Sequence, residues 1–148
     1  MEVLHILSDI LMTHGMGLLT DESVKPEAIM SMWTKAVKAE DEPEVAAAAA
    51  EALAKLMLAG VVTEDEMLKV LVETYFNPVS AQNEPLKQAL SYFFPVFCHS
   101  VPDYQYCMAR VLVLINFSKH RLRSRLFILY SDLRRTLKMR KRWCLHLR

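Results

Sequence analysis

A chain of 148 residues, 53% of them hydrophobic and 24% charged, is long enough to bury one core and has the composition of an ordinary folded domain. Its three glycines, Gly15, Gly17 and Gly60, stand in no phosphate-cradling frame, which excludes a glycine-rich nucleotide loop, and no window of about eighteen residues is free of charge, so a membrane span is not expected. The net charge of +1 conceals a split: residues 1–110 hold 7 Lys and Arg against 16 Asp and Glu, a balance of −9, while residues 111–148 hold 11 against 1, a balance of +10.

Almost every signal along the chain is helical. "EVLHILSDILMTHG" places Val3, Leu4, Ile6, Leu7, Ile10 and Leu11 at helical spacing and stops at Gly15, a residue suited to the left-handed turn after a helix. Its acidic start argues against a cleaved secretory signal. "KPEAIMSMWTKAVKAE" predicts a second helix with Pro26 near its first turn, and "EDEPE" a break. "PEVAAAAAEALAKLMLAG" opens on proline and acid, runs through alanines and closes at Gly60, and its small side chains invite close approach by a neighbour. "TEDE", Thr63 to Glu66, has the form of a capping box ahead of "MLKVLVETYF". After Asn77-Pro78 and a polar loop, "PLKQALSYFFPVFCHS" predicts a helix that bends at Pro95, because proline cannot donate to the Ser91 carbonyl. Pro102 then suits the first turn of "DYQYCMARVLVLINF".

The order helix, short turn, helix, longer loop repeats. With Pro43 and Pro85 as equivalent starts the period is about 42 residues, that of HEAT or armadillo-type helical hairpins. The expected fold is therefore all-α, with residues 43–77 and 83–117 forming antiparallel hairpins stacked in an α-solenoid, and with Phe93, Phe94 and Phe97 filling the layer between units. The rings of residues 91–106 admit a second use, as a base-stacking platform of Tyr92, Phe93, Phe94, Phe97, Tyr104 and Tyr106; such platforms carry interleaved cations, and here the nearest are Lys87 and Arg110.

Catalytic and metal chemistry find little to work with. Cys98, His99, Cys107, Cys144 and His146 offer soft ligands, yet no paired spacing of zinc-site type occurs, and three widely spaced cysteines suit reduced thiols in the nucleus or cytoplasm. Cys98 and His99, adjacent on a helix, point in different directions and make a poor nucleophile pair. His5 and His14 read as packed or surface residues, and the methionines as adaptable core filler. No enzyme, cofactor or metal site is expected.

The stretch "TYFNPVSAQNEPLKQALSYFFPVFCHSVPDYQYCMA", Thr74 to Ala109, resembles the C-terminal region of the G-type HEAT subunit family of condensin. That family has a hydrophobic helix ending in "F-[ND]-P", matched by Phe76-Asn77-Pro78. A polar loop comes next, and then a helix of "LRQxLSxFFPVF" type, matched by Leu86, Gln88, Leu90, Ser91, Phe93, Phe94, Pro95, Val96 and Phe97, with Lys87 where arginine is usual. The similarity covers residues 1–110. It implies a non-catalytic scaffold that binds the condensin kleisin and, through the complex, the SMC ATPases and duplex DNA of any sequence during mitotic chromosome condensation. The implied location is the nucleus and chromosome, with the cytoplasm outside mitosis. An armadillo or HEAT-type peptide-binding adaptor unrelated to chromosomes is the alternative.

Beyond Arg110 the resemblance ends and the basic segment 111–148 begins. One reading is a functional amphipathic helix, with Leu122, Leu126, Leu129, Leu133 and Leu137 on one stripe. Arg121, Arg123, Arg125, Arg134, Arg135, Lys138, Arg140, Lys141 and Arg142 would then meet nucleic-acid phosphates. The other, preferred because the charge flips abruptly where the resemblance stops, is a product of an altered reading frame or retained intron.

Overall fold

The computed structural model describes residues 2–15, 17 and 26–118. They form α1 (Glu2–His14), α2 (Pro26–Val37), α3 (Pro43–Leu58), α4 (Asp65–Phe76), a 3-10 turn (Val79–Gln82), α5 (Glu84–Ser100) and α6 (Pro102–Ser118), with no strand among the described residues. The all-α fold class expected from periodicity is the one observed. The chain divides into two compact units, residues 1–97 and 98–148.

In the first unit α3 is the central helix. Ala46 to Ala50, Ala52, Leu53, Ala54, Leu56 and Met57 are buried around nearly its whole circumference, and only Glu51, Lys55 and Leu58 keep one stripe exposed beyond its first turn. Alanine makes this possible, since a helix without bulk admits neighbours on several sides; both α1 and α2 pack against it. Glu51 and Lys55 pair across the exposed stripe at 2.8 Å.

α3 stops where the sequence predicts. Gly60 has φ 71°, the left-handed conformation that costs other residues. Its N–H donates to the Met57 carbonyl at 3.1 Å while the Val61 N–H reaches back to Leu56 at 3.0 Å, the paired bonds of a Schellman ending. Gly15 does the same duty after α1, with φ 70° and its N–H on the Leu11 carbonyl.

Cross-helix contacts show how the elements are stacked. Thr34 meets Met67, Lys38 meets Glu73 and Glu40 meets Asn77, pairs separated by 33 to 37 residues whose members advance together along the chain. α2 and α4 therefore run parallel, one hairpin apart. The packing of α1 on α3 has the same every-second-helix order, and Asn83, just before α5, bonds to Pro43 at the start of α3. Equivalent helices stacking on one another are the signature of a solenoid.

One local expectation is revised. The capping box at Thr63 does not form: α4 begins at Asp65, its N-cap is Glu64, and no side chain caps it. The Glu64 carboxylate instead turns back to accept the Thr63 N–H at 3.1 Å. With the acid itself at the cap position, threonine lies one residue too early to reach the first-turn N–H groups. The helix predicted to run through Pro95 is observed: α5 continues as helix to Ser100 with the proline inside it. Pro95 and Ser91 are both exposed, so the Ser91 carbonyl that proline leaves without a donor belongs to a residue open to solvent, where an unpaired backbone group costs little.

In the second unit, Val101 alone separates α5 from α6, and Pro102 occupies the first position of α6 as expected. Gln105, Met108, Val111, Leu112 and Ile115 form its buried face, and Tyr106, Arg110, Val113 and Leu114 lie outside. The Arg110–Val111 junction falls inside this one helix.

Candidate partner-binding surface

Two asparagines build one edge of the first unit. Asn77, just after α4, accepts the Val79 N–H through Oδ1 at 3.1 Å and donates through Nδ2 to Glu40 at 3.2 Å. Asn83 repeats the arrangement: Oδ1 accepts the Leu86 N–H at 3.2 Å, capping α5, while Nδ2 donates to the Pro43 carbonyl at 2.6 Å. Each side chain thus shapes its own turn with its acceptor and ties that turn to the preceding one with its donor. Sequence reading placed Asn77 in a motif but missed Asn83; the signal was an Asn three residues before Leu86 with acid and proline between, a helix-start pattern.

Behind this edge lies an aromatic layer. The Tyr75 ring meets Phe76 and Phe94 edge-on at 5.2 and 5.3 Å, Phe93 lies 5.3 Å from Phe94, and Phe97 lies 5.2 Å from Phe93. The Tyr75–Phe94 pair joins α4 to α5, as the stacked-hairpin reading requires. The Lys87 ammonium sits 4.7 Å from the centre of the Tyr75 ring, held by the negative face of the aromatic. Phe93, Phe94 and Phe97 are buried, so they cannot stack on bases, and the platform alternative loses half its rings.

The opposite face of α5 is open. Tyr92 is 68% exposed and Val96 52%, one turn apart and beside the Pro95 ring, with Gln88 a turn earlier. On the first unit this is the surface with a large aromatic side chain turned to solvent. The inter-hairpin turns beside the asparagines add exposed carboxylates at Glu40, Asp41, Glu42, Glu44 and Glu84. The unit presents acid and apolar surface, suited to a protein partner and poorly suited to phosphate.

Groups with reactive potential are separated or suppressed. Burial pushes the Cys98 thiol up to about 11, so it is a packed, unreactive side chain, while its neighbour His99 is exposed. Cys107, on α6, receives a 3.6 Å contact from the Arg110 guanidinium. His5 is half-buried and His14 exposed on α1. The described residues bring no base beside Cys98. Cys144, His146 and the predicted phosphate-binding set Arg121, Arg123, Arg125, Arg134, Arg135, Lys138, Arg140, Lys141 and Arg142 lie outside the described residues.

The model of the family described as nuclear condensing complex subunits, C-terminal domain, matches residues 1–137. The chain belongs to this family. The match to the condensin family model runs past Arg110 into the basic segment. Among relatives, the condensin complex subunit 3 of Saccharomyces cerevisiae is 35% identical over 131 residues, 88% of this chain and 12% of that protein. The Schizosaccharomyces pombe subunit is 32% identical over 105 residues, 71% of this chain and 12% of its own length. The chain thus spans about an eighth of these condensin relatives. A structure described as the crystal structure of the S. pombe condensin Cnd3-Cnd2 subcomplex superposes with a TM-score of 0.71 at 26% identity, over 88% of this chain and 18% of that one.

Proposed function

We propose that the chain is a scaffold segment of a condensin HEAT subunit that helps hold the kleisin chain, without chemistry of its own, in a nuclear complex that condenses chromosomes at mitosis. The observation that carries this reading is the likeness, over 88% of the chain, to a subunit solved in a two-protein condensin subcomplex; we take the second protein of that pair as the kleisin. The acidic, apolar face of the first unit fits such a protein partner. Through the kleisin, the segment would be joined to the SMC ATPases. Duplex contact falls to the basic residues between Arg121 and Arg142, which supply charge without a pattern for reading bases.

The test is co-precipitation of kleisin by the full-length subunit, with and without residues 1–110. Reduced recovery by a deletion that still folds is expected; unchanged recovery would remove the kleisin role from this segment. An adaptor unrelated to chromosomes has no observation in its favour once family membership is established.

A further inference from the structure

We propose that Thr63 is a phosphorylation site for an acidic-directed Ser/Thr protein kinase. The sequence reading assigned this threonine to a helix cap, and the structure leaves it without that role. Thr63 is exposed, in the segment between α3 and α4, and its hydroxyl makes no hydrogen bond among the described residues; only its backbone N–H is engaged, by Glu64. The hydroxyls of Ser8, Thr13, Thr34 and Ser91, by contrast, each donate to a carbonyl three or four residues back in their own helix, and Thr74 is buried.

The three residues after Thr63 supply the specificity. Glu64, Asp65 and Glu66 place carboxylates at successive positions, and no other Ser or Thr among the described residues is trailed by three acids. A kinase groove lined with Lys and Arg at the first and third positions beyond the acceptor reads such a stretch by charge. Kinases bind their substrates extended. Glu64 already has an extended backbone, φ −71° and ψ 125°, while Asp65 and Glu66 belong to the first turn of α4. That turn has no side-chain cap; of its opening bonds to the Glu64 carbonyl, the one from Met67 is ordinary at 3.1 Å and the one from Leu68 long at 3.5 Å, and Glu66 is tied to Lys69 only by an exposed ion pair at 3.2 Å, so the turn is weakly held at its start.

In the transfer, Thr63 Oγ1 forms a bond to the γ-phosphorus of ATP. The bond from that phosphorus to the bridging oxygen breaks, ADP leaves with the electron pair, and the hydroxyl proton passes to a carboxylate of the kinase. The product sets a phosphate of about two negative charges beside three carboxylates, deepening the acidity of this loop.

The whole chain, incubated with ATP and a purified casein-type acidophilic kinase, is to be mapped by mass spectrometry. One phosphate on Thr63 is expected, absent in Thr63→Val, with the initial rate at Thr63 falling at least tenfold in the doubly substituted Glu64→Gln, Glu66→Gln chain and a basic-directed kinase leaving Thr63 unmodified. Circular dichroism checks that the variants keep their helix content. The proposal is overturned if the folded chain carries no phosphate on Thr63, or if neutralising Glu64 and Glu66 leaves the rate unchanged.

Discussion

Asn83 uses both ends of its amide, and the two can be separated. Replacement by alanine removes the cap of α5 and the bond to Pro43, and a loss of about 1–3 kcal/mol is expected from a lost cap plus a hydrogen bond. Asn83→Asp keeps the acceptor but turns a carboxylate toward the Pro43 carbonyl; urea denaturation should place it between wild type and Asn83→Ala, and equal loss in both variants would mean that the cross-link to Pro43 carries the effect. Cys98 gives a pH signature. Its thiol ionises at 9.0 when free but at about 11 when buried, so the folded state resists losing the proton that the unfolded chain gives up. The stability it contributes is whole below pH 9 and declines between pH 9 and 11, at about 1.4 kcal/mol per unit for one group. Cys98→Ala should flatten the stability curve over that interval relative to wild type, and identical slopes for the two chains would exclude the assignment.

At the scale of elements, α3 is the part most sensitive to bulk. Ala49, Ala50 and Ala52 are fully buried on a helix that packs against α1 and α2. Ala49→Leu adds atoms where backbones already lie close, and should cost about 1–3 kcal/mol or more by overpacking, read as a lower midpoint in denaturant. Leu replacing exposed Lys55 on the same helix should cost far less. α5 runs through its internal proline as the sequence predicts, with both Pro95 and Ser91, the residue whose carbonyl loses its donor, on exposed positions of the helix.

For the molecule as a whole, the marked property is the separation of charge along the chain. Residues 1–110 carry −9 and should repel duplex DNA, whereas the +10 of residues 111–148 should bind it through phosphates, each contact releasing condensed counterions. The whole chain should bind duplexes of differing sequence alike, with affinity falling by orders of magnitude between low and physiological salt, and a version ending at Arg110 should bind far more weakly in a fluorescence-anisotropy titration. Comparable affinity for the two would show that the basic segment contributes nothing; strong preference for one duplex would show base readout that its charge does not explain.

The helical class, the places where α3 and α6 begin, the glycine endings of α1 and α3 and the family itself were all legible in the residues, because apolar spacing, proline and glycine act over a few positions and need no distant partner. The hairpin period was legible too, since each unit repeats its own punctuation. What tertiary structure alone decided were matters of which atom reaches which. Thr63 and Glu66 spell a cap, yet the helix began one residue later than the spelling required. Asn83, a cap by its own local pattern, became a cross-link as well only because the Pro43 carbonyl at the start of α3 lies 2.6 Å from its amide nitrogen. Lys87 found the Tyr75 ring, and of the rings between Tyr92 and Phe97 only Tyr92 was left in water, because it does not share the face of α5 on which Phe94 meets Tyr75 and Phe93 and Phe97 are buried. Local patterns set the elements; burial, which depends on what each element is packed against, assigned the side chains their work.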